Sequence, residues 1–321
     1  MIFRKNRGGR PARIIGMKPI PRVQQTIRHC GMLALWLALL LPTWAASGAQ
    51  GLGVAALRDK HAGLAAKLVD NPFQGPLYLE STESDRELKG DVYALLEHPF
   101  PALSAALSDP GRWCDILILH LNTKFCRARS EGGARQLELR IGRKHDQPTA
   151  QAAPVWFTFN AVTVEPQYLD IELNAPDGPL DTHDYRILLE AIPITANRSF
   201  IHMRYAFAYG RAGRLAMRLY LSTIGRGKVG FTRTTAGSAA EPAFIGGVRG
   251  VVERNSMRYY LAIESYLDAL PLPPADQLEK RLQSWFDGTQ KYPRQLYEIE
   301  RDDYLEMKRR EYQRQQAGPL G

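Results

Sequence analysis

Polar and apolar residues alternate along Ser199 to Tyr209 (SFIHMRYAFAY). In an extended chain this puts Ile201, Met203, Tyr205, Phe207 and Tyr209 on one face. Phe200, His202, Arg204, Ala206 and Ala208 take the other. A histidine and an arginine two apart on a face of small residues suit the anchoring of a carboxylate or phosphate head. The arginine supplies a planar fork of donors and the histidine a group that titrates near neutrality. With Glu264 as a further carboxylate, His202 and Arg204 also supply the acid, base and anchor that a cyclase- or hydrolase-like enzyme needs. The methionine and aromatic face reads as plain core or as the wall of a ligand cavity. Alternation alone leaves open which face points inward.

Other chemistry is sparse. The sequence has no G-x-S-x-G elbow and no H-E-x-x-H helix. Ile224 to Lys228 (IGRGK) lacks the spacing of a phosphate-binding loop, and Phe244 to Gly250 (FIGGVRG) lacks that of a dinucleotide site. No cofactor is implied. Cys114 and Cys126 stand as a lone pair whose spacing suits a disulfide in an oxidising compartment. Two cysteines with His120 between them are too few donors for zinc.

These residues need elements to position them. Arg254 to Leu270 (RNSMRYYLAIESYLDAL) carries a helical pattern, with Val252, Tyr259, Ile263, Tyr266, Leu267 and Leu270 on one side. Glu253, Arg254, Glu264 and Asp268 fall on the other, Ser265 lies on the outer flank, Asn255 is a fair N-cap, and Pro271, Pro273 and Pro274 end the helix. Strand patterns precede it at Leu77–Glu80, Leu88–Leu96, Leu119–Ala128, Gln136–Gly142, Val155–Val164, Tyr168–Asn174, Tyr185–Ile194, Ser199–Tyr209, Arg214–Ser222 and Lys228–Thr234. Short helices start at Pro99 and, capped by Asp109, at Pro110; a further helix covers Ser47 to Val69. Beyond Pro273 come two more helices. The second, from Pro293 to about Gln316, balances six basic against six acidic residues between Arg294 and Arg314, as a solvated helix does.

The net charge of +9 is concentrated at one end. Residues 1 to 49 hold eight basic residues and no acidic one; without them, 34 basic residues face 33 acidic. The remainder offers nucleic acid no excess charge. The leader itself reads as a secretory signal: a basic region, an apolar core from Met32 to Leu41, and small residues that suit cleavage after Ala49. The expected location is the periplasm of a bacterial envelope. An outer-membrane barrel fits the leader but not the long helices or the charges on short strands.

Gly90 to Leu117 (GDVYALLEHPFPALSAALSDPGRWCDIL) takes a strand into a helix and then an Asp-Pro-x-x-Trp turn, and Arg254 to Leu270 closes the meander. In this order of elements, from about Leu77 to Leu270, the chain resembles the START-type helix-grip superfamily, which includes polyketide cyclases. The resemblance implies an α+β fold in which a curved antiparallel sheet wraps a C-terminal helix and leaves a cavity for an apolar ligand. The expected organisation is a signal peptide (1–49), a START-like helix-grip domain (50–272) and a helical C-terminal extension (273–321). The expected function is binding of a lipid or other hydrophobic small molecule, with the enzyme on the same fold as the alternative. Candidate cavity residues are His202, Arg204, Met203, Tyr205, Phe207, Tyr259, Ile263 and Tyr266. The C-terminal helices offer a surface for an envelope protein partner.

Overall fold

The structure, a computed structural model, describes residues 51–318 apart from 85–86, 224 and 237–241. The expected leader and its expected cleavage site therefore lie outside the described residues. Helix α1 (Val54–Val69) is followed by β1 (Leu77–Glu83), β2 (Leu88–Leu96), α2 (Phe100–Leu107) and α3 (Pro110–Leu117). Six strands come next: β3 (Thr123–Glu131), β4 (Ala134–Ile141), β5 (Ala153–Glu165), β6 (Tyr168–Asp177), β7 (Thr182–Thr195) and β8 (Arg198–Tyr209). Five helices complete the chain: α4 (Arg211–Ser222), α5 (Gly247–Ala269), α6 (Pro274–Gln290), α7 (Pro293–Leu296) and α8 (Arg301–Gln316).

All eight strands form one antiparallel sheet in the order β1-β2-β8-β7-β6-β5-β4-β3. After β2 the chain crosses through α2 and α3 to the far edge and then meanders back until β8 pairs with β2. Helix α5 packs across β1, β2 and β8 and against α3, which makes this an α+β helix-grip fold. The helix comes so close at Gly90 that a side-chain carbon there would collide with Ser256.

Both faces of β8 are covered. Ile201, Met203, Tyr205 and Phe207 join the large core with α5, while Phe200 joins a second cluster with Leu57, Leu64 and Leu68 of α1. Cys114 and Cys126 are bonded, with their Cα atoms 5.1 Å apart, and tie α3 to β3. Closing so short a loop restricts the unfolded chain, and Cys114→Ser/Cys126→Ser is expected to lower stability by about 3 kcal/mol in urea melts. Equal midpoints for variant and parent would show that the bond holds nothing the core does not.

Three sequence expectations are corrected. Arg214–Ser222 is helix α4; β8 already has β2 and β7 on its two edges, so a strand that followed it directly could not pair beside it. Asp181 instead accepts the N–H groups of Ala212 and Gly213 (2.9 and 3.2 Å) and starts a helix. Lys228–Thr234 is a loop with one bridge, Arg233 to Phe244, held by Glu253, which accepts from Phe231 and Thr232 N–H (2.6 and 2.9 Å).

The third concerns α5, which starts at Gly247; Asn255 lies inside it and is not its cap. Much of its polar side is not solvated: Glu253, Arg254, Arg258 and Ser265 are buried under the loop at 228–234 and helix α6, whereas Glu264 is half-buried and Asp268 is exposed.

The C-terminal helices share the main core through Leu282, Trp285, Phe286, Tyr304 and Met307. Helix α8 keeps one face solvated, with Arg301, Asp302, Glu306, Arg309 and Arg310 exposed, but it buries the other. Lys308 Nζ donates to the carbonyls of His120 and Thr123 (2.7 and 2.8 Å) and to Glu311 (2.7 Å). Tyr304 Oη donates to the carbonyl of Leu119 (3.0 Å). This helix therefore satisfies the backbone acceptors of the corner between α3 and β3.

Candidate functional site

Between the concave face of the sheet and α5 lie two adjoining chambers, of about 140 Å³ and about 310 Å³. Their walls share Asn122, Pro179, Tyr185, Tyr205 and Asn255, so the two are neighbours. Strand alternation supplies the apolar wall. Val155 and Phe157 of β5, Ile187 of β7 and Tyr205 of β8 all point to the concave side. The outer chamber is roofed by α4, which turns Gly213, Ala216, Met217 and Tyr220 inward.

At the inner end, His120 is buried and stacks on Tyr259 at 4.8 Å. Burial, and then the charges of Arg258 and Lys308, hold its pKa well below the ordinary histidine value, so the ring is neutral. Its Nδ1 accepts the Asn122 N–H (3.2 Å), which leaves the proton on Nε2. That nitrogen is buried without a partner among the described residues.

At the outer end, Lys144, Arg254 and Arg258 line the wall. Glu298 takes Lys144 (2.7 Å), Arg258 (2.9 Å) and, more distantly, Lys228 (3.5 Å). Burial raises the Glu298 pKa, but Arg258 and Lys144 more than reverse this and hold it below its ordinary value. Arg254 donates to the carbonyl of Val229 (3.1 Å) and to Tyr220, neither of which cancels its charge. Burial depresses the pKa of Lys144, Arg254 and Arg258 alike, and the single carboxylate of Glu298 is shared between Lys144 and Arg258. Such a wall favours an anion.

The residues expected from sequence fall on two sides of the sheet. Tyr205, Phe207 and Tyr259 line the chambers. Met203, Ile263 and Tyr266 belong to the same core but lie outside these two walls. His202 and Arg204 are on the convex side, and Glu264 accepts from Tyr260 Oη (2.7 Å) on α5, so the three are not gathered into one site. Asn122, Lys144, Arg254, Arg258 and His120 were not read as cavity residues. Of these only His120 carried a signal, as a histidine flanked by bonded cysteines.

On the convex side His202 is wholly buried between Asp91 (2.7 Å) and Glu190 (2.8 Å), and Arg204 shares Asp91 (2.7 Å). Burial lowers the His202 pKa, but hydrogen bonds to both carboxylates outweigh it and hold it above the ordinary value. Glu190 also accepts from Tyr168 Oη (2.6 Å) and the Gly53 N–H (3.0 Å), which fastens the entry to α1.

Next to this network Asp170 has a buried oxygen with no partner among the described residues. Burial, then Glu190 and Glu172, push its pKa up to about 7. The folded state thus holds a proton that the unfolded chain gives up near its ordinary value of 3.8, and stability falls as pH rises between them. Asp170→Asn is expected to match the parent near pH 4 and to exceed it by more than about 1 kcal/mol at pH 8. Parallel melting curves for the two proteins at all pH values would show that Asp170 ionises freely.

No protein-family model matches this sequence, and a search of curated proteins gives no match. Among solved structures, norcoclaurine synthase from Thalictrum flavum is similar at TM-score 0.32 and 12% identity, over 43% of this chain and 86% of that one. A conserved protein from Geobacillus kaustophilus scores 0.29 at 14% identity, over 43% and 85%. The Zhui aromatase/cyclase from Streptomyces scores 0.29 at 12%, over 44% and 74%. At these scores the assignment of the fold rests on strand order and on the seat of α5.

Proposed function

We propose that this is an exported binding protein that holds an amphipathic small molecule, apolar in body and acidic at one end, in the helix-grip cavity. The observation that carries this reading is the pairing of an aromatic chamber with the under-compensated Arg254, Arg258 and Lys144 at its outer end. Apolar walls with a few convergent polar groups are the usual make-up of a small-molecule site. A fatty or aromatic acid places its body against Tyr205 and Phe157, its acid on Arg254, and an acceptor within the chamber that His120 lines. The acidic anchor is thus not the His202 and Arg204 pair, which faces away. The leader supports export, and the periplasm is the proposed location.

Two measurements test this. Native mass spectrometry of the full chain expressed in a Gram-negative host, followed by solvent extraction, is expected to give a mature chain beginning near Gln50 and a bound acid. An intact leader on a soluble product would overturn export alone. Titration with anilinonaphthalene sulfonate, an apolar anion, is expected to give a saturable signal that Arg254→Gln weakens about tenfold, the loss of one charge-assisted contact. Affinity unchanged in Arg254→Gln and in Ala216→Trp, which fills the roof, would rule out the cavity as the site.

A further inference from the structure

We propose that α4 docks the protein on a bilayer surface that carries anionic lipid, with the roof of the cavity against the membrane. Leu215 and Leu219, one turn apart, are 59% and 58% exposed. Leu180 is 75% exposed, on the connection between β6 and β7 that packs against α4. Leu180 and its neighbour Asp181 are held at φ values of 59° and 61°, a conformation that side chains other than glycine rarely adopt. The fold thus holds an apolar side chain outward in a conformation that costs energy.

Beside the leucines runs a basic face, with Arg211 and Arg218 exposed and Arg214 over the ring of Tyr209. Helix α4 has no acidic residue. A short helix with leucines on one exposed arc and arginines on the next has the make-up of an interfacial helix, whose apolar arc enters the boundary of the acyl chains while its cations meet lipid phosphates. The charge of the helix selects the occupant: a surface of negative sign with a greasy layer beneath it.

The position of α4 gives the contact a use. Its inward residues, Met217 and Tyr220 among them, line the outer chamber, and Leu180 borders both the chamber and the exposed patch. An apolar ligand released under α4 enters lipid without crossing water. That use rests on the reading of the cavity given above; the docking itself does not.

Sedimentation with vesicles tests the docking, using the processed full chain. Vesicles of phosphatidylcholine mixed with phosphatidylglycerol are expected to bind the protein, and vesicles of phosphatidylcholine alone to bind it far less. Near a charged surface each arginine is worth about 1 kcal/mol, or about fivefold, so Arg211→Gln/Arg218→Gln is expected to weaken binding about 25-fold and to flatten its salt dependence. Leu215→Ser/Leu219→Ser is expected to cost more than about tenfold at any salt concentration. In Leu219→Trp the indole emission is expected to shift to the blue on addition of the anionic vesicles. All three changes lie at exposed positions, and unchanged melting curves confirm the fold. No binding to anionic vesicles, or equal binding by parent and both double variants, overturns the proposal. So does self-association abolished by Leu215→Ser/Leu219→Ser without vesicle binding, which assigns the patch to a second copy of the chain.

Discussion

Replacing Glu311 with alanine is expected to cost about 3–5 kcal/mol, enough to detach α8 or to unfold a domain whose whole stability is about 5–15 kcal/mol. Glu311 is wholly buried and joins Lys124 (2.9 Å) to Lys308 (2.7 Å), both also at 0% exposure. Without it two ammonium groups remain in a dry site with only backbone carbonyls and the Met307 sulfur to face. Burial already pushes the Lys308 pKa down to about 8, and the Glu311 charge is the main force opposing it. The compensated change Lys124→Met/Lys308→Met/Glu311→Leu removes the charges together and is expected to recover part of the loss, since apolar groups replace the ion pairs at little cost but take donors from the carbonyls of Leu121, His120 and Thr123. Urea midpoints of parent, single and triple variants settle the matter. A Glu311→Ala protein as stable as the parent would mean that water reaches the triad.

The second large effect lies on α5. Ile263 is 1% exposed in the main core, and Ile263→Asp is expected to lower stability by several kcal/mol, the cost of an unpaired carboxylate in apolar surroundings. Sequence pattern places Ser265 on a solvated flank, where aspartate would change stability by no more than about 0.5 kcal/mol. The structure gives it 3% exposure, so Ser265→Asp is expected to fail as well, whereas Lys280→Ala on the open side of α6 is expected to be silent. Thermal melts of the three variants distinguish the arrangements. A Ser265→Asp protein that melts with the parent would put that flank of α5 in water.

The contrast shows what the chain discloses. Each of the sheet's eight strands overlaps a strand pattern in the sequence, and the disulfide follows from two cysteines isolated in a chain read as exported. Helix α4 is read as a strand although Arg214-Leu-Ala-Met-Arg-Leu-Tyr-Leu repeats its arginines four apart, as a helix does; a run of apolar residues straight after a strand pattern hides that period. The buried polar residues of α5 were misread for a related reason. Glu253 meets Ser81 and Thr232, and Arg258 meets Glu298, partners that lie far away along the chain. A pattern that counts hydrophobicity cannot see them.

The candidate site was legible only in part. Alternation rightly separates His202 and Arg204 from Met203, Tyr205 and Phe207. What it lacks is register: Glu190 lies opposite His202, and Asp91 opposite Arg204. Those pairings turn an apparent anchor into a closed ionic network and leave the cations of α5 to meet the cavity.

The crossover after β2 also governs when the molecule can fold. Leu88 of β2 is partnered by Phe207 of β8, so β2 waits through synthesis of nearly the whole meander before it has a neighbour on that edge. The corner at Leu119 to Thr123 waits longer, since its carbonyls are satisfied by Tyr304 and Lys308. Chains dominated by such distant pairings fold slowly, because loop-closure entropy is lost before the contacts are gained. A chain cut after Ala269 holds every described strand and the gripping helix yet exposes its α6 side. The period of greatest risk of aggregation runs until the last helix has been made and closed.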